Sequence, residues 1–186
     1  GKPDLNYLKG DIGSEEYSHS FGYYTSRPYI RFLKYLMTIC KPLVPVYYTT
    51  IIDEWVKHFK DKRLVVLCGA GYFIMENGEQ IDQIDNLDLK FLVKIGDFDA
   101  IFTTVSGFAA LDCPELHDVV LLSGNTAGAV IQYIGRVARQ KEFRIWYATH
   151  SRTIPIITKT RESQLNLIRN YYRQSKIEES RINYGK

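Results

Sequence analysis

Residues 62–71 read Lys-Arg-Leu-Val-Val-Leu-Cys-Gly-Ala-Gly. Two cations lead into five consecutive apolar residues, Leu64 to Cys68, and Gly69-Ala70-Gly71 ends the run. A short apolar run without alternation is the pattern of a strand buried on both faces, as in the middle of a parallel sheet. Such a strand needs helical cover above and below. The run therefore implies a layered α/β domain.

The flanking segments supply that cover. Arg27-Pro28 can open a helix, and Ile30, Leu33, Leu36, Met37 and Cys40 follow at spacings of three and four, as on one face of a helix. Lys41-Pro42 and Pro45 end it, because proline removes a helical N–H. Ile51, Ile52, Trp55, Val56 and Phe59 form the apolar face of a second helix over 50–60. Residues 1–28 are polar and read as loop. Downstream, a short helix is expected over 79–87 and strands over 91–95, 99–104, 119–122 and 143–147. A helix is expected over 126–140 and a charged helical tail over 162–179. The expected fold is a three-layer α/β sandwich around a mostly parallel sheet of roughly four to six strands. Its expected divisions are an N-terminal extension (1–47), the α/β domain (48–158) and a charged C-terminal helix (159–186).

Composition narrows the function. The chain has 186 residues, with 24 Lys+Arg against 21 Asp+Glu and a formal charge of +3, which excludes a histone-like binder but not a local basic patch. Cys40, Cys68 and Cys113 are far apart and odd in number. Neither a zinc site nor a disulfide framework is expected, and reduced thiols point to an intracellular protein, cytoplasmic, nuclear or viral. Charges interrupt every apolar segment, so no membrane partner is expected. The chain begins Gly-Lys-Pro rather than with Met, as expected of a processed product or a piece of something larger.

Open parallel sheets bind ligands at the C-terminal ends of their strands. Three polar segments stand there: 69–72, 103–112 and 123–126. The turn from Thr103 to Pro114 offers hydroxyls and free backbone N–H groups suited to an anion. Its plainer reading is a βα loop with threonine as a helix cap. Residues 132–140 read Gln-Tyr-Ile-Gly-Arg-Val-Ala-Arg-Gln. On a helix Gln132, Arg136 and Arg139 share one face, and Gly135 leaves room for close approach. Paired guanidinium groups a turn apart suit phosphates; the plainer reading is a solvated charged face.

Other chemistry finds little support. Gly69-Ala70-Gly71 lacks the Gly-Lys-Ser/Thr of a phosphate loop and the third glycine of a dinucleotide fingerprint. There is no Gly-x-Ser-x-Gly elbow. His19, His58, His117 and His150 lack ligand spacing, so no metal site is expected in the chain itself. Asp97 and Asp99 are expected to cap loops.

In order and spacing these motifs resemble the second RecA-like domain of superfamily-two helicases, over roughly residues 48–150. Arg63–Gly69 is similar to the strand that opens that domain. Ala100–Pro114, with Thr104 and Leu111-Asp112-Cys113-Pro114, resembles motif V. Gln132–Arg139 resembles motif VI, Gln-x-x-Gly-Arg-x-x-Arg. The nearest likeness is to DNA-repair and annealing helicases and their viral relatives. Ala110 departs from the glycine usual before the Leu-Asp pair.

The resemblance implies an ATP-hydrolysing, nucleic-acid-binding motor domain. Arg136 and Arg139 would be arginine fingers, and Gln132 would couple nucleotide to the domain seam. Asp112 and Gly135 would lie near the nucleotide. Thr104, with Thr103 and Gly69, would face a DNA or RNA phosphate backbone. ATP and Mg2+ would be held mainly by an N-terminal RecA-like domain of the same polypeptide, because this chain has neither a phosphate loop nor an Asp-Glu-x-His/Asp box. The isolated chain should then be inactive. Three other classes stay open: a non-catalytic nucleic-acid-binding or adaptor domain derived from a helicase, a small phosphate-handling α/β enzyme, and a plain α/β scaffold whose arginine helix packs against an acidic partner.

Overall fold

The computed structural model describes residues 4–11, 20–46, 48–104, 107, 113–121, 142–149, 162–163, 165–167, 169–170 and 177–182. Its strands are β1 (Asp4–Asp11), β2 (Leu43–Val46), β3 (Leu64–Cys68), β4 (Gly71–Glu76), β5 (Glu79–Ile84), β6 (Ala100–Thr104), β7 (Asp118–Val120), β8 (Glu142–Thr149) and β9 (Ile177–Ile182). The helices with bounds among the described residues are α1 (Ser20–Tyr24), α2 (Arg27–Ile39), α3 (Thr49–His58) and α4 (Asn86–Ile95); residues 162–163, 165–167 and 169–170 are helical as well. Among the described residues, nine strands join one sheet in the order β5-β4-β3-β6-β2-β7-β8-β1-β9. From β3 to β9 the pairings are parallel. Only the β3-β4-β5 meander is antiparallel.

The central strands are buried on both faces, and strand alternation sorts their side chains into two cores. Val65, Leu67, Ile101, Leu43, Val119, Phe143 and Ile145 pack with Leu89, Leu92 and Val93 of α4. Leu64, Val66, Phe102, Val44, Val46, Val120 and Trp146 pack with α2 and α3. Helices therefore cover both faces, as the run at 64–68 requires. The second core is aromatic. Trp55 lies parallel to Tyr29 at 6.2 Å and meets Phe102 edge-on at 5.1 Å, while its indole N–H donates to the Tyr24 carbonyl at 2.8 Å.

Several local readings give way. Residues 79–84 form a strand, not a helix. Asn77 and Gly78 both have positive φ, 53° and 77°, the conformation of a tight hairpin turn; that turn folds β5 back on β4. Residues 91–95 are the end of α4, not a strand. Asp85 and Asp88 close a capping box at its start, and Gly96 ends it with φ 73°. Residues 4–11, read as loop, pair with both β8 and β9. Residues 177–179, read as helix, open β9. The prolines at 42 and 45 flank and enter a strand, β2, whose four residues are all buried. One sheet thus runs through the segments 1–47, 48–158 and 159–186. Among the described residues no helix is long and apolar enough to cross a membrane.

The N-terminal edge of the parallel strands is closed by charge. Asp118, buried at the start of β7, accepts from Arg144 Nε and Nη2 at 2.6 and 2.8 Å and from Trp146 Nε1 at 2.7 Å. Arg63 donates from Nε to the Asp97 carbonyl at 3.0 Å and pairs with Glu76. Asp99 accepts the Arg63 backbone N–H at 2.7 Å. Asp97 and Asp99 thus both engage Arg63 at this edge.

Cys40 follows α2 at the same edge. Burial, and then the charge of Asp118, hold its thiol well above the ordinary thiol range, with Arg144 a partial offset. An unfolded thiol loses its proton near pH ~8.5, whereas this folded one keeps it. Above that pH the unfolded chain binds fewer protons, so stability falls as pH rises, by up to about 1.4 kcal/mol per unit from this group. Urea midpoints measured from pH 8 to 10 should fall less steeply in Cys40→Ala than in the parent. Identical slopes would show that the thiol is not held in this way.

Candidate functional site

The opposite, C-terminal edge gathers the polar strand ends. β2, β6 and β7 are neighbours there. From β2 the chain passes through α3 to β3 on one side; from β7 it passes to β8 on the other. Connections from adjacent strands that part in opposite directions leave a crevice at their C-terminal ends, where sheets of this kind hold ligands. Exposed Tyr48, Thr49 and Thr50 follow β2 at this edge.

β6 ends in the buried pair Thr103 and Thr104. Thr103 has no exposed surface, and its hydroxyl donates to the Thr104 carbonyl at 2.9 Å. Expected to face a phosphate, it instead faces inward. The Thr104 hydroxyl accepts the Gly107 N–H at 3.2 Å and so caps the start of the turn. Gly69 is exposed in the turn that joins β3 to β4. Of the residues singled out from sequence, then, Thr104 and Gly69 stand at one edge. Arg136, Arg139, Gln132, Gly135 and Asp112 lie outside the described residues.

Gly107 was not singled out, yet it positions this edge. A Cβ built on it would stand 2.3 Å from the Leu67 carbonyl carbon and oxygen and 2.5 Å from the Cys68 nitrogen. The turn after β6 therefore lies directly on the backbone of β3, at a distance only glycine permits. The one sequence signal was a glycine among small residues just past a strand end.

Two cavities are described near these elements. One, of about 390 Å3, lies between α3 and the β3-β4-β5 meander, walled by Ile52, Val56, Val66, Phe73 and Met75. The other, of about 610 Å3, lies beside α4. Neither is lined by Thr103, Thr104 or Gly69.

Comparison with known proteins bears on the fold. No protein-family model matches the sequence, and no curated protein aligns with it significantly. Solved structures do match. The yeast DEAD-box splicing factor Prp28 superposes with a TM-score of 0.60 at 15% identity, over 95% of this chain and 36% of its own. T4 UvsW does so with a TM-score of 0.54 at 11% identity, over 95% and 42%. S. cerevisiae Dbp5, in a structure bound to RNA and ADP BeF3, gives 0.53 at 14%, over 96% and 41%. The chain has the RecA-like fold of helicase structures. It spans about two fifths of the length of these chains or a little less. At such identities the likeness is one of fold.

The close approach at Gly107 can be tested directly. Gly107→Ala should lower the unfolding free energy by about 2 kcal/mol or more, because both obstructing groups are backbone. Thr104→Ala should cost about 1 kcal/mol through the lost cap, and Thr104→Ser much less. Chemical denaturation of the three variants measures this. A Gly107→Ala protein as stable as the parent would mean that the turn does not rest on β3.

Proposed function

We propose that the chain is the second motor domain of an ATP-dependent nucleic acid helicase or translocase. The observation that carries the reading is topological. The segment with Gln132, Gly135, Arg136 and Arg139 connects the C-terminal end of β7 to the N-terminal end of β8. It leaves the sheet at the same edge as the Thr104–Gly107 turn. The two stretches that resemble helicase motifs thus both begin at the C-terminal edge of one sheet.

The donor set suits a polyphosphate: two arginines three residues apart, with no carboxylate between them in sequence. In this reading ATP and Mg2+ would be held by a second RecA-like domain of the same polypeptide, and ATP would supply the transferable phosphoryl group. Arg136 and Arg139 reach across the seam and donate N–H groups where negative charge builds up. Gln132 ties the nucleotide state to the closure of the seam, and Asp112 and Gly135 line it. Closure shifts the nucleic acid strand. Thr104, buried as it is, acts on that strand by holding Gly107 in place. Thr103 supports Thr104 from inside the sheet, and exposed Gly69 lets the strand approach. Contacts of this kind read phosphates, not bases.

A second reading rests on Ala110. An alanine where helicases usually carry glycine narrows the turn, as in a domain that has kept the fold as a nucleic-acid-binding adaptor without turnover. The small-enzyme alternative needs a closed polar pocket, and the two described cavities are walled by other elements.

One experiment separates these readings. The isolated chain should hydrolyse ATP only at background rate. Joined to the nucleotide-binding domain of its own polypeptide, it should hydrolyse ATP in the presence of nucleic acid. Arg136→Ala or Arg139→Ala should then lower kcat by about a thousandfold or more, while oligonucleotide affinity, falling with salt, changes little. Joined protein without turnover but with salt-dependent binding would favour the adaptor. Turnover indifferent to both arginines would end the motor reading.

A further inference from the structure

Helix α4 has two apolar faces. Leu89, Leu92 and Val93 enter the core. On the other side Leu87, Phe91 and Ile95 are 76%, 64% and 56% exposed. Four-residue steps align these three in one ridge along the helix. An amphipathic helix of a soluble domain normally carries polar residues there. A contiguous apolar ridge with a hollow beside it is the usual mark of an interaction site. Here the hollow is the cavity of about 610 Å3, whose far wall is Pro114 and Glu115.

Charge says what kind of occupant fits. Lys90 and Lys94 run along one flank of the ridge, are exposed, and make no ion pair among the described residues. Asp88, on the other flank, is engaged in the capping box with Asp85. A second copy of the chain fits poorly. In an antiparallel two-fold pair centred on Phe91 the lysine flank meets its own copy, bringing four ammonium groups together. A partner with carboxylates on the lysine flank alone meets no such conflict: its acidic side faces Lys90 and Lys94, and its uncharged ridge lies in the hollow between them and Glu115.

We infer that the outer face of α4 binds an amphipathic helix of a partner protein, seated on Leu87, Phe91 and Ile95, whose acidic flank pairs with Lys90 and Lys94. This is helix-in-groove recognition. It uses none of the residues assigned to the strand-end edge and stands apart from the motor reading.

Two labelled helical peptides test it. They share one leucine ridge; one carries glutamates along the flank and the other lysines. Fluorescence anisotropy at low salt should show the acidic peptide binding about tenfold more tightly, with the preference shrinking as salt rises. Lys90→Glu combined with Lys94→Glu should reverse the preference. Phe91→Ser, at an exposed position where folding is not at stake, should weaken both peptides about tenfold or more. Binding of neither peptide, equal binding of both, or indifference to Phe91→Ser overturns the inference. So does concentration-dependent dimerisation in sedimentation that Phe91→Ser abolishes, which would assign the face to a second copy.

Discussion

Burial of the central strands on both faces is the constraint from which the rest follows. β6 lies between β3 and β2 with all five residues buried. Each strand there sends alternate side chains into two cores, so helices must stand on both sides. The aromatic stack of Tyr29, Trp55 and Phe102 fills one core; α4 closes the other. A strand with two apolar faces cannot be an edge. This is why hairpin β4-β5 on one side and β7, β8, β1 and β9 on the other extend the sheet outward.

The two ends of that sheet have different chemistry. At the N-terminal edge, carboxylates are matched within the chain: Asp118 with Arg144 and Trp146, Asp97 and Asp99 with Arg63. These pairs hold the strands in register. At the C-terminal edge stand Thr104, Gly69 and the ends of diverging connections. Polar groups matched at one end and gathered at the other are the arrangement expected of a scaffold that presents a site. The precision of that edge comes from backbone contact, since Gly107 brings the turn after β6 against β3.

Local pattern made some elements legible. The run 64–68, the stripe Ile30-Leu33-Leu36-Met37 and the face Ile51-Ile52-Trp55-Val56 carry their periodicity within a few residues, and each formed the element it implied. Where two periods overlap, the local reading failed. Ile81 and Ile84, three apart, imitate a helix, while the Asn77-Gly78 turn makes them a strand. Residues 91–95 imitate a buried strand until the caps at Asp85 and Gly96 include them in α4. β1, β2 and β9 were missed because parallel pairing joins segments distant in sequence. Leu5 pairs with Phe143 and with Ile177, and no local pattern records that.

The sequence by itself determined the layered α/β class, the helices that cover the sheet, and the chemistry on offer at strand ends, Thr104 and Gly69. These are properties of composition and of short-range period, written into neighbouring residues. The tertiary structure alone decided the nine-strand order, the inward turn of Thr103, the neutral thiol of Cys40 beside Asp118, the glycine clearance at 107 and the uncovered second face of α4. Each is a relation between residues far apart in the chain. Whether a group is buried, crowded or left facing outward depends on what the rest of the fold brings next to it.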